Sequence, residues 1–118
     1  MKLDNISIVN ATSEQVLDET LANISCKTIT FWLDGHYSGG ETFQGNVDSP
    51  INYELVTIQK YLEKFLKVTI MIDDVRCFDP TIQEFRDYPS RNFLVSWAEK
   101  NNLNWEIVHD IFVAYTRP

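Results

Sequence analysis

The stretch Thr28–Gly40, "TITFWLDGHYSGG", decides how this chain is read. Its first six residues are β-branched, aromatic or aliphatic and carry no charge, which is the composition of a strand. The nearly continuous apolar run predicts a strand covered on both faces. It then stops abruptly at Asp34, Gly35 and His36, and all four glycines of the chain fall between Gly35 and Gly45. Unusual backbone freedom is thus concentrated just past one strand end. A second run, "VTIMI" (68–72), has the same character and also ends in acid, at Asp73 and Asp74.

Working outward, "ISIVN" (6–10) reads as a short strand. Thr12 opens a helix with Val16, Leu17, Leu21 and Ile24 on one face, and Gln15 completes a capping box. Ser49-Pro50 announces another helix, as an N-cap followed by proline at the first helical position, with Ile51, Leu55, Ile58 and Leu62 as its apolar stripe. A long polar connection spans 75–89. Ser90 then caps a third helix running to Asn101, with Phe93, Leu94, Trp97 and Ala98 as its buried side. The chain closes with two strands in a hairpin turning near His109 and Asp110. Trp32, Trp97 and Trp105 lie within apolar patterns and read as core residues.

The order β-α-β-α-β-α-β-β implies an α/β domain with a mostly parallel sheet and an antiparallel strand at its edge from the C-terminal hairpin. In such sheets ligands gather at the carboxyl ends of the strands, where Asp34, Asp73 and Asp74 fall. If the two strands are neighbours, three carboxylates converge and repel one another, a conflict that a divalent cation removes. An all-oxygen ligand set suits Mg²⁺, Mn²⁺ or Ca²⁺ rather than zinc. The plainer reading is that each acid caps the next element or faces water; two strands ending alike favour a site. His36, two residues beyond Asp34, has the ordinary imidazole range for a general base, with a hydrogen-bonded loop histidine as the equal alternative. His109 reads as a turn residue. Tyr37 could line a pocket. Arg76, Arg86 and Arg91 stand in the 75–89 connection or just past it, as anion ligands or, more simply, as partners of Asp79, Glu84 or Asp87.

A chain of 118 residues suits one domain, and a hydrophobic fraction of 44% suffices for a small core. The formal charge of −7, with no basic cluster, argues against a nucleic-acid partner. No apolar run reaches membrane-spanning length and the first residues lack a signal-peptide layout, so a cytoplasmic protein without a membrane partner is expected. Cys26 and Cys77 have no zinc-ligand or redox spacing and read as reduced, partly buried thiols. No P-loop or Gly-x-Ser-x-Gly motif is present.

"FWLDGHYSGGET", "SPINYEL", "IMIDDVRCF" and "YPS" together resemble the C-terminal half of a group of bacterial class I S-adenosylmethionine-dependent methyltransferase-like proteins, from about residue 6 onward. A more distant similarity is to metal-dependent sugar O-methyltransferases of the macrocin type. The resemblance implies a Rossmann-like three-layer sandwich, truncated over residues 1–118 and lacking the first two strands of the full fold. It implies Asp34, Asp73 and Asp74 as ligands of Mg²⁺ or Mn²⁺ and His36 in place of the family's acidic base. It also implies Asn10 and Asp34 as remnants of the S-adenosylmethionine site, and a small or sugar-like hydroxyl acceptor. Only five residues precede "ISIVN", leaving no room for the strands that hold most of the cofactor. The gap predicts an exposed sheet edge covered by a homodimer partner or by a separate N-terminal half. Two other functions remain open: a non-catalytic binding module that keeps the acidic pocket, and a metal-dependent hydrolase, which no nucleophile motif supports.

Overall fold

The computed structural model describes residues 5–34 and 50–118. These form three helices and four strands: α1 (Ser13–Asn23), β1 (Thr28–Leu33), α2 (Ile51–Tyr61), β2 (Lys67–Ile72), α3 (Arg91–Lys100), β3 (Leu103–Val108) and β4 (Ile111–Thr116). The α/β class expected from the sequence is what forms. Ile6–Asn10 does not become a strand; it is irregular and exposed, with Ile8 at 90%. Its apolar side chains have no sheet neighbour among the described residues, and isolated strand propensity does not hold a strand without one.

The sheet order is β1-β2-β4-β3. β1 and β2 pair in parallel, whereas β4 pairs antiparallel with both β2 and β3. The sheet is therefore mixed and not mostly parallel. The antiparallel strand of the hairpin is also not at the edge, because β4 inserts between β2 and β3 and creates two antiparallel interfaces by itself.

Burial alternates along β1, β2 and β4. Phe31 and Leu33 of β1, Val68, Ile70 and Ile72 of β2, and Phe112 and Ala114 of β4 are buried and share one face. They form a single core with Leu21 of α1, Ile51, Leu55 and Ile58 of α2, and Leu94, Trp97 and Ala98 of α3. The other face contributes nothing to that core: Thr28, Thr30 and Trp32 are exposed, and Thr69, Met71, Val113 and Tyr115 are only half-buried. β1 is thus covered on one face, not two, and the expected third layer is missing among the described residues. Trp97 is a core residue as expected, but Trp32 is 54% exposed and Trp105 38%. Phe93 also faces outward, at 38%.

Local signals explain the helix ends. At α1 the Gln15 side-chain oxygen accepts a hydrogen bond from the Thr12 backbone N–H at 3.0 Å. At α3 the Ser90 hydroxyl accepts from Phe93 N–H at 3.1 Å. α2 begins at Ile51 after Pro50, while Ser49 lies outside the described residues. The helices are then tied to one another. Asp18 of α1 accepts from Lys60 Nζ and from the Tyr61 hydroxyl, both at 2.7 Å, and Trp97 Nε1 of α3 donates to Gln59 Oε1 of α2 at 3.1 Å. The 75–89 connection is less polar in structure than in sequence: Phe78 and Tyr88 are buried, their rings meeting edge-to-face at 5.3 Å.

Two predictions follow from this arrangement. Ile70→Ala removes a fully buried side chain and is expected to cost about 2–5 kcal/mol in denaturant unfolding, whereas Thr30→Ala on the open face is expected to change stability by about 0.5 kcal/mol or less. The hydrogen bonds from Lys60 and then Tyr61 hold the Asp18 carboxyl below its ordinary value. A depressed folded-state value contributes stability above the unfolded value that is lost as pH falls through the folded one. Asp18→Asn should therefore lower the unfolding midpoint at neutral pH and have no effect once both states of the wild-type acid are protonated.

Candidate metal-binding site

The position of the acids is a consequence of strand register. Leu33 and Ile72 are register partners at the ends of β1 and β2, and both are held in the core. The next residues on the two parallel strands, Asp34 and Asp73, must then emerge side by side, and Asp73 N–H donates to Leu33 C=O at 3.1 Å. Asp74 follows with φ 59° and ψ 48°, a left-handed conformation that turns the chain back at once. The Asp73 carboxylate supports that turn by accepting from Asp74 N–H at 2.9 Å. Asp34, Asp73 and Asp74 each offer an oxygen within 4.8 Å of the others; Asp34 is exposed and the other two half-buried.

Oxygen ligands lie about 2.0–2.1 Å from Mg²⁺ and about 2.3–2.6 Å from Ca²⁺, so two of them span at most about 4.2 Å or about 5.2 Å across the ion. Separations within 4.8 Å are compatible with a shared ion of this kind. The donor set, all carboxylate, suits such hard cations.

A second group abuts the cluster. Arg76, in the short helical turn Val75–Cys77, pairs with Asp74 at 3.1 Å and with Asp110. Asp110 belongs to the β3–β4 turn, where it and His109 both have positive φ, 67° and 50°. It also accepts from Arg76 N–H through its carboxylate at 2.9 Å, and from Val75 N–H through its C=O at 3.0 Å. These bonds hold the hairpin turn against the loop carrying Asp74. The neighbouring carboxylates, Asp110 foremost, raise the Arg76 pKa still further, so its charge is permanent. Burial raises the Cys77 thiol above its usual value.

Of the sequence-derived site residues, the three aspartates come together. His36 and Tyr37 lie outside the described residues. Asn10 is exposed in the irregular segment before α1. Arg91 reaches Asp79 at 3.6 Å, the ion pair expected of it, and His109 is a turn residue as read. The Arg76–Asp110 link was not foreseen; the only sequence signal was a charged pair at a hairpin turn. Compared with known proteins, the chain matches no family model, no curated protein and no solved structure.

The left-handed backbone at Asp74 can be separated from its carboxylate. Asp74→Gly and Asp74→Ala both delete the acid, but alanine carries the left-handed penalty of about 1–2 kcal/mol that glycine avoids. Thermal unfolding should place the glycine variant above the alanine variant; equal stabilities would mean that this backbone geometry is not maintained in solution.

Proposed function

We propose that this chain is a divalent-cation-binding, Rossmann-like half-domain of methyltransferase type, acting in the cytoplasm. The observation that carries the reading is the meeting of three carboxylates where two adjacent parallel strands end. Asp34, Asp73 and Asp74 would hold Mg²⁺ or Mn²⁺. Such an ion, when bound, lowers the proton affinity of an acceptor hydroxyl. The chain's own part is to fix three oxygens on the ends of rigid strands, and to supply His36 as the candidate proton acceptor for a small or sugar-like substrate.

S-adenosylmethionine does not fit the described residues alone. The two side chains assigned to it by resemblance, Asn10 before α1 and Asp34 after β1, both lie on the surface, and two surface side chains by themselves do not make the enclosing pocket that a cofactor needs. In this reading a complementary N-terminal half completes the cofactor site, and this chain's own part is confined to the three acids and His36. The same exposure favours a second reading for the chain on its own, a binding module that retains the cation site without catalysis.

Titration calorimetry with Mn²⁺ tests the cluster. Wild-type protein should bind one ion, and Asp34→Asn and Asp73→Asn should each weaken binding at least about tenfold, the loss of one charged ligand. Unchanged affinity in both variants removes the site. A parallel titration with S-adenosylmethionine should show no saturable binding; micromolar affinity would mean that the chain holds a cofactor site of its own and would sink the half-domain reading.

A further inference from the structure

The two edges of the sheet differ in a way that the cation site does not explain. β3, at one edge, carries Asn104 and Glu106, polar and charged residues of the kind that keep edge strands from pairing. β1, at the other, is "TITFWL", six residues in regular register with β2 and with no charge, proline or glycine. Among the described residues no strand lies along its outer side. Thr28, Thr30 and Trp32 are exposed on the open face. Among the described residues this edge therefore has no strand paired to its outer backbone groups and no charge, proline or glycine within it to oppose association.

We propose that β1 pairs antiparallel with β1 of a second copy, joining two four-stranded sheets into one across a two-fold axis. Charge selects both the partner and its direction. A net charge of −7 makes copies of the chain repel one another overall, whereas the β1 edge is an uncharged strip. The strip is bounded by Lys27 at its start and Asp34 at its end. Antiparallel pairing sets the Lys27 end of each copy beside the Asp34 end of the other; parallel pairing would set like charges together. A two-fold axis perpendicular to the sheet keeps the core faces on the same side, so pairing Thr30 with its own symmetry mate places Ile29 opposite Phe31 and Thr28 opposite Trp32. These are β-branched and aromatic cross-strand pairs of the stabilising kind. Six residues per copy is well below the roughly 20–30 per side of a standard interface, so the dimer is weak and depends on concentration.

Sedimentation velocity from low micromolar to millimolar protein, with chelator present so that the cation site plays no part, tests the pairing. The mass should rise with concentration from 13.7 kDa toward twice that value. Thr30→Lys replaces an exposed residue without touching the core and sets like charges opposite each other, so it should weaken association about tenfold or more with an unchanged circular dichroism spectrum. Val56→Lys, at an exposed apolar position on α2, should leave association intact. Wild-type protein that stays monomeric throughout overturns the proposal and leaves the edge to a different polypeptide. A dimer that persists equally in Thr30→Lys overturns it too, by placing the interface elsewhere. Neither result bears on Mn²⁺ binding, so the two readings fail separately.

Discussion

The in-register parallel pairing of β1 with β2 is the constraint on which the site depends. Phe31, Leu33, Val68, Ile70 and Ile72 occupy alternate positions on these strands and are all buried on one face. A slip of one residue would carry each of them to the open face. Apolar burial therefore fixes the register, and the register fixes where Asp34 and Asp73 leave the sheet. The carboxylates are not drawn together by any attraction of their own. Two charges within 4.8 Å of each other repel by at least about 1 kcal/mol in water and about 3–4 kcal/mol at an effective dielectric of 20. Burying several large side chains offsets a cost of that size, at about 1.5–3 kcal/mol for each.

The hairpin supplies the second support. Because β4 lies inside the sheet, the turn between it and β3 sits near the carboxyl end of β2, and Asp110 can reach the loop that carries Asp74. The turn residues His109 and Asp110 both adopt the left-handed conformation, which two-residue hairpin turns of this hand require and glycine or asparagine usually provides. Here the strain is compensated by backbone and side-chain bonds from Val75 and Arg76. Had β4 been at the edge, as its place in the sequence suggested, this contact would not have formed.

The sequence disclosed the strands and helices wherever pattern and punctuation agreed: "TITFWL", "VTIMI", the helix capped by Ser90 and the terminal hairpin. It misled where pattern alone had to decide how many faces were covered. An unbroken apolar run such as Thr28–Leu33 is compatible with one buried face or two, and Trp32 takes the exposed side. Strand order was equally hidden, because a hairpin strand can add outside its partner or inside it without any change in periodicity. Phe78 and Tyr88 were overlooked because the proline-containing, charged segment around them masks two buried rings. For the site, strand-terminal acids were legible as candidates. Arg76 and Asp110, separated by 34 positions, were not, since an ion pair between two loops leaves no local trace.

Arg76 raises the question of whether the cluster already holds its cation. The four carboxylates Asp34, Asp73, Asp74 and Asp110 and the one guanidinium leave a formal local charge of −4 + 1 = −3. The guanidinium is engaged with Asp74 and Asp110 on the hairpin side. Among the described residues no basic side chain lies within ion-pairing distance of Asp34 or Asp73. The unbalanced charge therefore sits at the ends of β1 and β2, which is where the register has placed two carboxylates side by side. A divalent ion there would reduce the local charge to −1 while Arg76 kept its hold on the turn. Arg76 is no substitute for such an ion: it secures the loop that presents Asp74 and forms no ion pair with Asp34 or Asp73 at the strand ends.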